Sequence, residues 1–242
     1  MNKKQIQMSD ETAHNNAISI IDALKISGVI EFSICLFFAK LVSYTFLDWL
    51  PLYISQTNPG ISSSQSAYMT IFFDLGGIIG GISAGYLADK TGASALSCIV
   101  MLIFAIPSLG IYYLFGNQSM AMNEALQFIA GIFVNAPYAL ITTAVSAELG
   151  SKVPSKSAMA TVSAIIDATG SIGSAIGPSL AGVVSEIGWE YVFIVVMIAD
   201  LCALLSILRI GFNDCKRLIF IWRTKKSRNN SANQEIISVT TY

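Results

Sequence analysis

Histidine is nearly missing from this chain, and charge is scarce. The 242 residues hold one histidine, four cysteines and 12% charged side chains. His14 lies alone in a polar stretch, where solvation is its expected fate, and one histidine cannot complete a zinc site or supply several catalytic pairs. Cys35, Cys98, Cys202 and Cys215 are far apart, show no CxxC or other metal-ligand spacing, and read as buried free thiols. With no nucleophile–base pair and no metal-ligand cluster, an enzyme is not expected, nor is a cofactor. Residues 1–11 lack the apolar core and small-residue cleavage site of a secretory signal, so the first apolar helix is expected to do the targeting.

Charge this sparse also argues against water as the main solvent, since a soluble domain carries about 25% charged residues. What the chain has instead is apolar length: 54% of its residues are hydrophobic and its mean hydropathy is +0.63. A bilayer core needs about 20 mostly apolar residues per helix. Six runs qualify, at 28–54, 67–88, 93–115, 124–145, 158–184 and 191–211. The connectors between them hold turn formers such as Asn58-Pro59-Gly60, Thr91-Gly92 and Gly116-Asn117. Backbone groups in lipid must pair within their own segment, so the runs are expected to be helices. The expected organisation is a cytoplasmic tail at 1–27, a six-helix membrane domain at 28–211 and a basic cytoplasmic tail at 212–242.

Lysine and arginine fix the expected orientation. With both tails inside, the inside segments carry Lys3, Lys4, Lys25, Lys90, Lys152, Lys156, Arg209, Lys216, Arg217, Arg223, Lys225, Lys226 and Arg228, and the outside loops carry none. This is the positive-inside pattern. The remaining cation, Lys40, falls inside the first span.

Glycine is concentrated in the second run, as Gly76/Gly80, Gly77/Gly81 and Gly81/Gly85. No strand or turn surrounds them, so a nucleotide fingerprint is the remote reading. Small residues four apart let helix backbones approach closely in lipid, and that is the expected use. A second such helix holds Gly170, Gly173, Gly177-Pro178 and Gly182.

Gly85-Tyr-Leu-Ala-Asp89-Lys90-Thr-Gly92 resembles the loop motif of the major facilitator superfamily, and it falls between the second and third spans as that superfamily places it. Ala39-Lys40-Leu-Val-Ser-Tyr44-Thr-Phe-Leu-Asp48-Trp49-Leu-Pro51-Leu-Tyr53 looks like the seventh helix of organophosphate:phosphate antiporters. Asn135-Ala-Pro137-Tyr138-Ala-Leu-Ile-Thr-Thr-Ala-Val-Ser-Ala-Glu148, with Ile165-Ile-Asp167-Ala-Thr-Gly170, is similar to the sugar-phosphate exchangers (solute carrier family 37). The resemblance implies an all-α membrane fold, the C-terminal six-helix half of a twelve-span transporter. It also implies antiport of a sugar phosphate, such as glucose 6-phosphate, for inorganic phosphate across the endoplasmic reticulum membrane. A second six-helix half or a homodimer is then an expected partner, alongside the lipid bilayer; nucleic acid is not. A non-transporting subunit that modulates a full-length transporter is the alternative.

An ammonium at mid-bilayer costs roughly 2.5–3.5 kcal/mol on insertion scales, so Lys40 needs a wet cavity or a partner. A substrate phosphate is one candidate, with Tyr44 one turn away on the same face; an ion pair with Asp74 or Asp167 is the other. The bacterial glycerol-phosphate antiporters this helix resembles have arginine where Ser43 stands, and an ammonium at Lys40 would replace it without the guanidinium fork. Asn135 and Tyr138 lie in the fourth span, whose equivalents line the cavity in this superfamily, and Pro137 there could bend the helix. Asp74 and Asp167 are candidate coupling carboxylates. Asp48 is a gate or, more in keeping with its position, a helix cap. Asp200 is a candidate for a hydrogen bond to a neighbouring helix. Trp49 and Tyr53 read as an interfacial aromatic belt. Asp89 and Lys90 are candidates for contacts that break between inward-facing and outward-facing states. Asn117-Gln-Ser119 and Asn229-Asn-Ser231 fit the glycosylation pattern, and only Asn117 lies on the expected lumenal side.

Overall fold

In this computed structural model the described residues are 19–151 and 156–240, and every regular element among them is helical. Lys3, Lys4, His14 and Lys152 lie outside the described residues, as do the side chains of Lys156, Lys225, Arg228 and Asn229. Six helices are long and apolar enough to cross a membrane: Val29–Thr57, Ser63–Thr91, Ser94–Phe115, Met120–Ser151, Met159–Ser185 and Trp189–Thr224. They follow the expected runs in number and order.

Three departures have local causes. The second span starts earlier than its apolar run because Ser62 and Gln65 form a capping box, which satisfies backbone donors at the helix start. The fourth span changes pitch. Its α-helix ends at Leu140, and Ile141–Val145 is a π-turn before Ser146–Ser151. Pro137, inside that helix, has no N–H to donate, and the buried Ser146 hydroxyl donates to the Ile141 carbonyl at 2.8 Å in the widened turn. The last helix does not stop at Gly211. It runs Trp189–Thr240, 52 residues, because beyond Gly211 there is no further glycine or proline to break it.

The first span is the hub. It packs along the fifth and also contacts the sixth and fourth; the second packs along the fourth, and the third sits against the sixth and fourth. Both long pairings use glycine as expected. A Cβ at Gly76 would stand 2.1 Å from the Phe128 carbonyl oxygen, and one at Gly80 2.0 Å from that of Ile132. In the first–fifth pair a Cβ at Gly173 would stand 2.0 Å from the Phe37 oxygen. Any side chain there would force the backbones apart, so these glycines set the interhelical distance. The expected role fails at Gly85, where an added Cβ would meet nothing within 4 Å.

Burial is uneven. Sixty-seven per cent of the apolar window of the first span is covered by the protein, against 28% for the second and 22% for the fifth. Two apolar clusters stack along the bundle. One, around Phe32, Leu36, Cys98, Leu140 and Ile207, lies toward the end rich in lysine and arginine (the basic end). The other, around Phe46, Tyr53, Phe73, Tyr112 and Phe193, fills the opposite, aromatic end.

Candidate functional site

The chemistry of the chain gathers along one side of the first span, in two adjacent places. The first is the Lys40 ammonium. It donates to Asp167 Oδ1 of the fifth span at 2.7 Å. Of the two acids open to it, Asp167 is the one it takes. Lys40 is 7% exposed, whereas the Asp167 side chain is 61% exposed. Gly170 makes the approach possible, because a Cβ there would stand 2.9 Å from Lys40 Cδ. The pair is thus lopsided: a sheltered cation holds a carboxylate that faces out of the bundle.

One turn on, a cleft of about 550 Å³ opens between the first, second and fourth spans. Tyr44, Asp74, Asn135 and Tyr138 all line it, together with Ser43, Gly77 and Thr143. Tyr44 and Tyr138 meet edge to face with ring centroids 6.5 Å apart. The Ser43 hydroxyl donates to the Asn135 side-chain oxygen, and both residues are buried. Gly77 makes room for that amide: a Cβ there would stand 2.4 Å from Asn135 Nδ2. The cleft therefore presents phenol hydroxyls, an amide and a carboxylate, a set suited to a hydroxylated ligand. Sequence reasoning missed Ser43 and Thr143 as lining residues and the π-turn that carries Thr143. The signal available for Ser43 was Asn135 itself, since an amide within a span has to find a hydrogen-bond partner.

Other candidates stand apart. Asp48 is exposed and its side chain makes no hydrogen bond among the described residues, so it caps no neighbouring helix there. Tyr53 is not part of an interfacial belt, and Trp49 is half-buried. Tyr53 is 2% exposed within the aromatic cluster, and Trp49 Nε1 donates to the Pro178 carbonyl at 2.9 Å, joining first span to fifth. Aromatic rings at a span end fit either role, and here the sixth span covers them. Asp200 is buried, with Oδ2 lacking a hydrogen-bond partner. Asp89 and Lys90 are exposed at the basic end, where the Lys90 ammonium lies 5.6 Å from the Tyr86 ring centroid. Next to them Gly92 caps the helix in the left-handed region, φ 63°, and its carbonyl accepts from Arg217. Asn117 sits in the third–fourth connection with its Nδ2 donating to the Tyr53 hydroxyl at 3.0 Å, so the atom a glycan would take is in use.

The sequence model described as Major Facilitator Superfamily matches residues 32–235. The chain belongs to the major facilitator superfamily. This is a family of transporters and not of enzymes, and six long apolar helices are what a half of its fold requires. Within the superfamily the chain is 52% identical over 211 residues to the glucose-6-phosphate exchanger SLC37A2 of Xenopus laevis, covering 86% of this chain and 42% of that protein. It is 47% identical over 221 residues to the protein of the same name in Mus musculus, covering 90% of this chain and 43% of that one. It is 46% identical over 203 residues to the putative glycerol-3-phosphate transporter 4 of Arabidopsis thaliana, covering 81% of this chain and 37% of that one. The chain spans under half the length of these curated relatives. No solved structure matches it.

Proposed function

We propose that the chain supplies the C-terminal six-helix half of an antiporter that exchanges a sugar phosphate, such as glucose 6-phosphate, for inorganic phosphate by alternating access. Its relatives support the substrate class, being named for glucose 6-phosphate and glycerol 3-phosphate. The observation that carries the mechanism is the lopsided pair of Lys40 and Asp167. Opposite unit charges about 4 Å apart attract by roughly 4 kcal/mol at an effective dielectric near 20. A phosphate carrying more charge than a carboxylate competes for the Lys40 ammonium, and release of Asp167 couples occupancy to the first–fifth contact. Tyr44, Asn135 and Tyr138 then receive the sugar hydroxyls, and Asp74 accepts from them. Asp48, Asp89 and Lys90 act, on this reading, at the ends of the path as the bundle rocks. The distribution of lysine and arginine supports cytoplasmic termini, and an endoplasmic reticulum membrane rests on the family resemblance of the sequence motifs alone.

The test is exchange of labelled phosphate against internal glucose 6-phosphate in proteoliposomes. Lys40→Ala is expected to abolish the exchange; unchanged uptake overturns the role of Lys40. A second reading, a non-transporting subunit that pairs with a full-length transporter, is favoured by the poorly covered second and fifth spans. It predicts no exchange from the chain alone and an altered rate when the chain is added to a full-length relative.

A further inference from the structure

The sixth span continues as one helix well past its apolar run, and a contact fixes its depth. Arg217 donates to the Gly92 carbonyl, in the turn between the second and third spans, and its guanidinium lies 3.7 Å from Asp214. Arg217 is therefore level with the basic end of the bundle. At about 1.5 Å per residue, Trp222 stands roughly 8 Å farther along the axis. The headgroup layer beyond the hydrocarbon is about 5–8 Å deep. With the basic end at the hydrocarbon edge, the residues just past Arg217 thus cross the headgroup layer next to the acyl chains.

Those residues are apolar on all sides. Ile219, Phe220, Ile221 and Trp222 are 47, 71, 53 and 62% exposed. Four successive helical positions are about 100° apart and sweep roughly 300° of the circumference. A protein partner would cover one face and leave the others in water. A surrounding apolar solvent covers them all. Cations flank the apolar turn: Lys216, Arg217, Arg223, Lys225, Lys226 and Arg228 stand against Asp214 alone between positions 212 and 228. Lys226 Nζ lies 5.1 Å from the Trp222 ring centroid, which holds an ammonium at the level of the indole. A cluster of four to eight cations beside a membrane helix attracts anionic lipid.

We propose that residues 212–228 form a lipid collar, seating the sixth helix in one leaflet and gathering anionic phospholipid headgroups around it. Its apolar turn lies against the acyl boundary, and Arg223 and Lys226 beyond it meet the phosphates. Because Arg217 belongs to this segment and also holds Gly92, lipid occupancy bears on the turn between the second and third spans. The proposal rests on the membrane-spanning reading and not on the transport reading.

The experiment uses the full chain in nanodiscs, with Cys202→Ser and Cys215→Ser, and a nitroxide on Phe220→Cys. In phosphatidylcholine discs the label is expected to collide more with oxygen than with a water-soluble nickel chelate. A label that favours the nickel chelate overturns the collar, and so does shielding that appears only when a cytosolic protein is added. In mixed discs, spin-labelled phosphatidylserine is expected to associate with the chain more strongly than spin-labelled phosphatidylcholine. Changing Arg223, Lys225, Lys226 and Arg228 to glutamine should lower that ratio toward parity while the Phe220 label keeps its depth. An unchanged ratio in this variant, or no preference in the parent chain, overturns headgroup recognition. Neither readout depends on transport, so loss of phosphate exchange leaves both standing.

Discussion

The two ends of the bundle are closed by different chemistry. At the aromatic end Tyr53, Tyr112, Trp189 and Phe193 pack ring against ring, Tyr53 to Phe193 at 5.2 Å and Tyr53 to Trp189 at 5.3 Å. Asn117 stitches this end further, donating to Tyr53 and accepting from Thr57 and Asn58 at 3.2 Å. No ion pair occurs there among the described residues. At the basic end the ties are charged: Arg209 with Glu31, Arg217 with Asp214 and the Gly92 carbonyl, and Ser94 donating to Glu148 at 3.1 Å. Buried ring contacts hold in any salt. Exposed ion pairs contribute about 0–1 kcal/mol each and weaken as salt screens them. The outer ties of the aromatic end are thus the firm ones, while at the basic end the charged ties outside its apolar cluster are the ones that loosen at small cost.

Three substitutions test that contrast. Phe193→Ala should have the largest effect on unfolding in detergent. Removing a buried Phe from a soluble core costs roughly 3–5 kcal/mol; here the loss should be about half that, because the freed surface meets apolar chains and not water. Raised salt should leave the effect unchanged. Tyr53→Phe removes only the hydroxyl that Asn117 uses, so a loss of about 1 kcal/mol is expected in the same assay. Glu31→Gln at the basic end should cost at most about 1 kcal/mol and nothing measurable in high salt. If Glu31→Gln costs more than Phe193→Ala, the assignment of firm and weak ties is reversed.

The six helices were legible because apolar length is a property of composition along the chain. The glycine contacts were legible for a related reason: spacing by four on a helix fixes a shared face, and Gly76 and Gly80 met the fourth span on it. Gly85, on the same spacing, has open space where a Cβ would stand, since the periodicity names a face and not where the neighbour ends. The partner of Lys40 stayed open because Asp74 and Asp167 both lie within spans, and only the pairing of first with fifth brings one of them within 2.7 Å. Tyr53 was misplaced because an aromatic near a span end suits both a belt and a core. The continuation past Gly211 was hidden by rising charge, which signals the end of an apolar run but does not stop a helix. The π-turn had no sequence signature beyond Pro137.

Asp167 turns its carboxylate outward on the fifth span, the least covered of the six. The polarisability of whatever borders that flank then governs how tightly the clasp on Lys40 holds. Against a dry neighbour the two charges would grip each other at several times their strength in bulk water, where such a pair is worth only about 1 kcal/mol. Hydrating the flank would slacken the grip without moving a single atom of this chain.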